Sequence, residues 1–322
     1  MKENTRRLID YSLPAVFENI LQTSVGFVDS VLIAKISLVA VSAVSLVNGV
    51  MAVYQAVFIA LAVAVATVVS NAAGARASKA VSENVRQSIA LSLMVGVILS
   101  LLSLVLAHPI LRAMSASGDI LQQGIIFFRV IAGTSVLIVL MTVLGQLIRT
   151  AGQTRTPLTI NLIVNILNFC LDFILIFGLF GFPRLGILGA GIGTALSRLI
   201  GVGLLFHKLQ QTSHRLQGPI FSRDQHIFKT EIVKRALPIM GERLMMRLGD
   251  IVIFVIIIAY GSKVFAGNAI GETITAYNYL PAFGFATGAS ILIARAYGAK
   301  DHLEIRKLTK TSCVMTAIIS TL

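Results

Sequence analysis

The chain has 322 residues, of which 56% are hydrophobic and only 13% charged, which excludes an ordinary soluble domain and predicts a polytopic membrane protein. A net charge of +13 would indicate nucleic-acid binding in a soluble protein. Here the lysines and arginines lie between apolar runs, so the charge reflects orientation in a bilayer and we expect no nucleic-acid partner.

The apolar runs predict an all-α fold. Runs long enough to cross about 30 Å of hydrocarbon occupy residues 11–34, 43–73, 88–107, 120–148, 158–180, 187–207, 236–260 and 265–294, with a ninth opening near Ser312. The second and eighth are long for one span, so we expect them to tilt or to extend beyond the membrane.

The first span carries a polar stripe. Glu18, Gln22, Val25 and Asp29 fall at i, i+4, i+7 and i+11, a spacing that places them on one face of a helix. Charged side chains are costly in hydrocarbon unless partners or water await them, and they usually mark ion or proton paths.

The fifth span repeats the same spacing with Asn161, Asn165, Asn168 and Asp172. If both helices start at one membrane surface, the two aspartates lie at comparable depth, roughly 25 Å along each helix. The two stripes are therefore predicted to converge on one polar pocket. The alternative is that these groups only bridge neighbouring helices by hydrogen bonds.

The loop charges predict the orientation. With the N terminus in the cytoplasm, nineteen lysines and arginines fall on the inner side and four on the outer side, namely Lys35, Arg112, Arg184 and Lys263. This asymmetry predicts a multi-pass protein of the cell membrane with a cytoplasmic N terminus.

Other motifs indicate structure more than chemistry. The glycine run lacks a nucleotide-binding spacing and predicts close helix packing, at Gly186, Gly189, Gly191 and Gly193. Cysteines in apolar segments are predicted to be buried thiols, at Cys170 and Cys313. Histidines in or beside the basic linker are predicted to be solvated, at His207, His214 and His226.

No nucleophile–base constellation and no metal spacing occurs in the sequence, so we expect neither an enzyme nor a bound metal or organic cofactor. The basic loop Arg149–Pro157 is either a structural turn or a gating contact.

An internal repeat organises the chain. One constant offset aligns Leu13–Glu18 with Leu237–Glu242, and Gly74–Arg76 with Gly298–Lys300. An even number of spans separates the copies, which predicts a parallel repeat of two lobes. The boundaries are an N-terminal lobe at 1–207, a cytoplasmic linker at 208–234 and the start of a C-terminal lobe at 235–322. Pro14 and Pro238 fit helix starts.

The chain resembles the multidrug and toxic compound extrusion (MATE) family of secondary transporters. The resemblance covers nearly the whole chain and rests on LPAVFENILQTSVGFVDSVLIA, VSNAAGARA, RTAGQTRTPLTINLIVNILNFCLDFILIFG, GILGAGIGTALS and LPIMGE. It implies two six-helix lobes that export cationic or amphiphilic drugs in exchange for Na⁺ or H⁺, the coupling ion being the only cofactor. It also implies a cation site at Asp29, Asn168, Asp172 and Thr194, with Na⁺ held by the two aspartates.

The chain departs from this family in its length, because it stops within its ninth span and leaves the second lobe incomplete. We therefore expect a missing C-terminal portion or a dimer partner. Glu242 and Asp250 are substitutes for an acidic residue that some relatives carry on the seventh span, and Arg198 is placed to pair with Glu18. The substrate or gating candidates are Glu18, Gln22, Asn161, Asn165, Arg198 and Glu242.

The sequence is also compatible with two other interpretations. A flippase for lipid-linked saccharides would share the fold but needs a basic central cavity, for which the candidates are Arg198, Arg243 and Arg247. The second is an inactive truncated remnant, or a membrane subunit that needs a partner.

Overall fold

A computed structural model describes residues 2–114, 116–221, 231–259 and 262–321. Within these residues the chain is helical and contains no strand, which confirms the all-α prediction. The helices are α1 (Lys2–Ala34), α2 (Leu38–Gly74), α3 (Ser78–Ala113), α4 (Gly118–Gly133), α5 (Ser135–Thr150), α6 (Arg155–Phe177), α7 (Ile187–Gln210), α8 (Glu231–Ala259), α9 (Ser262–Gly298) and α10 (His302–Thr321).

Five stretches of the described residues are long and apolar enough to cross a membrane. They are Leu38–Gly74, Ser78–Ala113, Gly118–Thr150, Arg155–Phe177 and Ile187–Gln210, which match the second to sixth predicted spans. The other predicted spans correspond to α1, α8, α9 and α10. Helices α2 and α9 each have 37 residues, or about 55 Å at 1.5 Å per residue, so both extend beyond the hydrocarbon as predicted.

The predicted fourth span is not one continuous helix, because it breaks at Thr134 between α4 and α5. The Thr134 hydroxyl turns back and donates to the carbonyl of Val130 at 2.8 Å. The freed N–H of Val136 donates to the Ser100 hydroxyl on α3 at 3.3 Å. Side chain to backbone bonds of this kind compete with the helical ladder and bend it, a local effect that apolar periodicity does not reveal.

The internal repeat is present in the backbone. Helices α2 and α9 end at the repeat-equivalent residues Gly74 and Gly298, and α3 and α10 begin at the equivalent residues Ser78 and His302. After each ending the chain adopts a left-handed conformation, with φ of 55° at Arg76 and 58° at Lys300. Both turns also have the Schellman hydrogen-bond pattern, in which an N–H after the turn reaches back to a carbonyl of the last helical turn.

The two copies of this turn pack against each other. A side chain at Gly74 would collide with the Arg295 carbonyl, and a side chain at Gly298 would collide with the Asn71 carbonyl. Residues 71 and 295 are themselves repeat equivalents, so the contact between α2 and α9 is reciprocal. We call the end of the bundle where these helices cross the closed end.

Helix α1 also packs against α9 at the closed end. Gly288 of α9 packs directly on Ser12, and Gly284 packs on Val16. The apolar core between them consists of Leu8, Val16, Phe285, Ala289, Leu292, Ala296 and Leu308. The first turns of α1 are tied to α10 by the Arg7–Glu304 ion pair at 2.6 Å.

The helix-start interpretation of the two prolines was wrong, and the contacts of α1 explain this for Pro14. Pro14 lies inside α1 and Pro238 lies inside α8. The charged segment before Pro14 is helical because tertiary packing on α9 and α10 stabilises it. For the same reason α10 begins at His302, within a charged segment, and not near Ser312 as predicted.

Apolar patterning also misplaced some side chains. Cys170 and Cys313, predicted to be buried, are both exposed. A membrane helix is apolar on its lipid-facing side as well as its core-facing side, so an apolar segment does not predict burial within the protein.

The polar linker follows α7, and its residues 222–230, which include His226, lie outside the described residues. His207 is exposed as predicted. The prediction for His214 was wrong, because this side chain is only 4% exposed and its Nδ1 lies 3.1 Å from the Thr150 hydroxyl.

Candidate functional site

The polar stripe of α6 faces α7 across an unusually close helix contact. A side chain at Gly189 would meet the Leu175 backbone at 2.7 Å, and one at Gly193 would collide with Oδ1 of Asp172. Close packing through small residues was the predicted role of this glycine run, and the contacts confirm it for these two positions. Gly193 also forms one wall of the Asp172 carboxylate site.

Three polar side chains meet at this contact. Asn168 is 5% exposed and Asp172 is 2% exposed. The Asn168 amide donates to the Thr194 hydroxyl at 3.2 Å, and Thr194 in turn donates to the Ala190 carbonyl at 2.9 Å. This arrangement leaves the Asn168 carbonyl oxygen and one Thr194 lone pair available to a cation.

Asp29 of α1 completes the cluster. Its carboxylate interacts electrostatically with Asp172, and Arg198 interacts with both carboxylates. Within the described residues, Oδ1 of Asp29 and Oδ1 of Asp172 are buried without a hydrogen-bond partner, as is Nη1 of Arg198. The structure therefore brings together all four residues of the expected cation site.

Glu18 belongs to a different network. Its carboxylate forms an ion pair with Arg149 of α5 and accepts a hydrogen bond from the Asn161 amide. The expected pairing of Glu18 with Arg198 was therefore wrong, because Arg198 lies among the aspartates. The Arg149 side chain is 8% exposed, so the loop that begins there contributes a buried interhelical contact.

The remaining candidates lie apart from the aspartates. Gln22 lines a cavity of about 280 Å³ together with Asn19, Thr23, Gln55 and Leu280. Asn165 is half-buried on α6, one turn before Asn168. Glu242 is exposed on α8, and Asp250 forms an exposed ion pair with Arg247 at 3.2 Å. The structure thus divides the predicted pocket into the aspartate cluster of Asp29 and Asp172, the ion-pair network of Glu18 and an amide-lined cavity.

The sequence analysis did not predict the roles of two residues, Arg149 in the ion-pair network and Gly193 at the aspartate cluster. Arg149 was interpreted only as part of a basic loop, and Arg198 was expected to be the partner of Glu18. Gly193 was assigned to packing alone. Its contact with a carboxylate depends on the register between α6 and α7, which helical spacing within one segment does not determine.

The chemistry of the aspartate cluster fits a small hard cation. Its donors are two carboxylates, an amide and a hydroxyl, all oxygen atoms, which such cations prefer over nitrogen or sulfur. Two buried carboxylate oxygens without partners are costly unless a cation or a proton compensates them. These residues could therefore hold Na⁺ or share a proton.

The sequence model of the MatE family matches residues 14–174 and again 238–322. The two matches begin at Pro14 and Pro238, which are equivalent positions of the internal repeat, so the family pattern itself occurs twice in the chain. The second match supports the repeat independently of the backbone geometry.

The chain also resembles individual proteins in sequence and in fold. The chain is 32% identical over 308 residues to the probable multidrug resistance protein NorM of Thermotoga maritima, covering 94% of this chain and 65% of that protein. A transporter of the MOP superfamily from Pyrococcus furiosus superposes with a TM-score of 0.89 at 23% identity, over 98% of this chain and 70% of that one. The outward-facing conformation of a multidrug resistance MATE family transporter gives the same four values.

The chain thus spans about two thirds of the length of these three proteins. The double family match, the repeat and the helical architecture together identify a multi-pass membrane protein that belongs to the MatE family of transporters.

Proposed function

We propose that the chain provides the cation-coupled lobe of a secondary antiporter that exports cationic or amphiphilic compounds in exchange for Na⁺ or H⁺. The observation that carries this proposal is the convergence of Asp29, Asn168, Asp172 and Thr194 beside Gly193. The multidrug resistance names of its relatives support export as the direction of transport.

The charges of the cluster define the coupling stoichiometry that we propose. Two carboxylates and the Arg198 guanidinium sum to one net negative charge, so one Na⁺ or one proton neutralises the cluster. Occupancy would favour the conformation in which the cation is best held, and the transported compound would leave as that conformation becomes populated.

We propose that the compound itself contacts the cavity around Gln22. This cavity lies between α1, α2 and α9, and its polar lining of amides and a hydroxyl carries no cationic side chain. Such a lining would accept a positively charged compound without repulsion. Asn165 and Glu242 would act as further contacts or gates in this scheme.

The charge asymmetry of the loops supports a cytoplasmic N terminus. The closed end would then face the cytoplasm, which corresponds to an outward-facing state. Because the chain spans 65% of the Thermotoga maritima relative, we propose that transport also requires the portion of such a protein that lies outside the match, or a second copy of the chain.

The decisive experiment measures efflux of ethidium from vesicles that contain the chain, alone and joined to the remaining helices of a full-length relative. Imposed Na⁺ and pH gradients are compared, and Asp172→Asn is tested beside Asp119→Asn, an exposed aspartate on α4. We expect Asp172→Asn to abolish gradient-driven efflux, while Asp119→Asn retains it. Normal efflux in the Asp172 variant would refute the cation assignment.

A glycine pair tests the same site by geometry. Gly193→Ala would push a methyl group into the Asp172 carboxylate, whereas a side chain at Gly203 on the same helix meets no atom within 4 Å. We expect Na⁺ or acidic pH to stabilise the wild type and Gly203→Ala against heat, and Gly193→Ala to lose this response. Equal responses in the two variants would contradict the proposed site.

The flippase alternative requires a basic central cavity formed by three arginines, and two of them lie beside carboxylates. Arg198 lies with the two aspartates, and Arg247 is paired with Asp250 on the exposed surface of α8. Arg243 is half-buried on α8, with no hydrogen-bond partner for its Nε among the described residues.

A further inference from the structure

A second cavity of about 590 Å³ lies at the closed end, away from the aspartate cluster. Its walls come from three parts of the chain: the turn between α2 and α3 with the first turns of α3, the linker after α7, and α9. The cationic side chains that line it are Arg76, Lys79, Arg86, Arg215 and Arg295, against a single carboxylate, Glu83. Such a cavity is large enough for a small-molecule ligand.

Most of these cations form no ion pair within the part of the chain that the structure describes. Arg76, Lys79 and Arg215 form no ion pair with any described residue. Arg295 donates to the Thr150 carbonyl at 3.2 Å, which positions the guanidinium but does not compensate its charge. Glu83 accepts a hydrogen bond from Gln87 at 3.1 Å. Several cations are therefore held around one space with one anion among them.

The backbone adds to the positive potential. Ser78, Lys79 and Ser82 of the first turns of α3 line the cavity, and the N-terminal end of a helix attracts anions. Arg76 precedes this helix with a φ of 55°, a conformation that glycine would adopt at lower cost. The positive-inside rule explains basic residues anywhere on this surface, but it does not explain cations from three segments around one cavity.

We propose that this cavity binds a phosphate-bearing anion, either the headgroup of an anionic lipid or a soluble phosphate compound. Basic pockets between membrane helices at the cytoplasmic surface commonly bind phospholipid headgroups. Because Arg295 belongs to α9 and the other cations belong to the N-terminal lobe and the linker, the site is complete only when α9 packs on α2. Anion binding therefore stabilises the closed end.

A matched pair of variants separates this site from general surface charge. Arg76→Gly and Lys300→Gly each remove one positive charge, and each relieves a left-handed backbone at an equivalent position of the repeat. Only Arg76 lines the cavity. Since glycine suits this conformation, neither variant should misfold.

The experiment measures the thermal stability of the purified chain in titrations with inorganic pyrophosphate in detergent, and in nanodiscs with or without phosphatidylglycerol. Sodium chloride at equal ionic strength is the reference. We expect Arg76→Gly to bind roughly tenfold more weakly or worse, as loss of a charged hydrogen-bond donor predicts, while Lys300→Gly binds as the wild type does. A pyrophosphate response identifies a soluble ligand, and a response to phosphatidylglycerol alone identifies a lipid.

Two results would overturn the proposal. One is an equal loss of binding in both glycine variants, which would indicate only general surface charge. The other is the absence of any response of the wild type beyond that of sodium chloride. Neither result bears on the aspartate cluster, so failure of this site and failure of the proposed antiport remain distinguishable.

Discussion

The hydroxyl of Thr154 donates a hydrogen bond of 3.0 Å to the carbonyl oxygen of Asp10. Asp10 lies four residues before Pro14, which has no N–H to donate to it. The helical ladder of α1 is therefore interrupted at this carbonyl, and a hydroxyl from the turn between α5 and α6 takes the place of the missing donor. The bond joins the helical turn before Pro14 to the loop RTAGQTRTP.

Replacement of Thr154 by valine tests this bond. Thr154 is 8% exposed and its bond to the Asp10 carbonyl is partly buried, so Thr154→Val removes this hydrogen bond and should reduce the free energy of unfolding by about 0.5–1.5 kcal/mol. Thr154→Ser keeps the hydroxyl and should cost less. The control is Thr156→Val, whose hydroxyl contacts only the exposed side chain of Gln153. Equal thermal stability of the Thr154→Val and Thr156→Val variants would show that the bond contributes nothing.

The Glu18–Arg149 pair predicts a second difference in stability. With side-chain exposures of 19% and 8%, removal of one partner leaves a largely buried charge. Arg149→Met should therefore cost roughly 3 kcal/mol, and addition of Glu18→Gln should restore most of it.

The matched control for this ion pair is Lys234→Met, which breaks the exposed pair with Glu231 and should change stability by less than about 1 kcal/mol. Chemical denaturation in detergent measures the wild type and all of these variants. If the double variant is no more stable than Arg149→Met, the loss does not come from an uncompensated charge.

The reciprocal contact of Gly74 and Gly298 predicts that a larger side chain at either position favours opening of the closed end. Gly298→Ala places a methyl group against the Asn71 carbonyl, so α2 and α9 can no longer approach as closely. Ser12, which is fully buried under α9, reports this change when it is replaced by cysteine in a background with Cys170→Ser and Cys313→Ser. Maleimide labelling of that cysteine should accelerate roughly tenfold or more when the open state becomes substantially populated.

Gly241→Ala is the control for the labelling experiment, since a side chain at Gly241 of α8 meets no atom within 4 Å. Labelling rates that are the same for Gly298→Ala and Gly241→Ala would argue against the contact as part of the closure.

His214 predicts a pH dependence at the closed end. Burial lowers the pKa of His214 below its ordinary value of 6.5, the nearby carbonyl of Leu147 partly opposes this shift, and the charge of Arg295 adds to it. A histidine whose pKa is lower in the folded state favours folding above the unfolded pKa, and this contribution is lost as the pH falls through the folded value.

Wild-type stability should therefore decline as the pH falls below about 6.5, the pKa of an unfolded histidine, towards the lower pKa of the folded state. His214→Gln should show a smaller decline, because glutamine does not titrate. Thermal melts across this range provide the measurement, with His207→Gln, at an exposed histidine, as the control. A decline of the same size in all three proteins would assign the dependence to other groups.

Features that depend on residue types at fixed spacing could be predicted from the sequence alone. Helical length and composition predicted the spans, and a constant offset between matching motifs predicted the repeat. Helical spacing put Asp29 on the polar stripe of the first span and Asn168 and Asp172 on that of the fifth, and the family resemblance added Thr194. These signals are local or repeat along the chain, so they can be read without knowledge of which helices are neighbours.

The tertiary structure was needed to show which side chains of the two stripes become partners. Helical spacing made Glu18 and Asp29 part of one polar face, but Glu18 pairs with Arg149 whereas Asp29 joins Asp172. The difference arises from the register of α1 against α5 and α6, which depends on packing between segments distant in sequence. The burial of His214 and the cationic cavity at the closed end likewise require α5, α9 and the linker to come together, and no pattern within one segment encodes that contact.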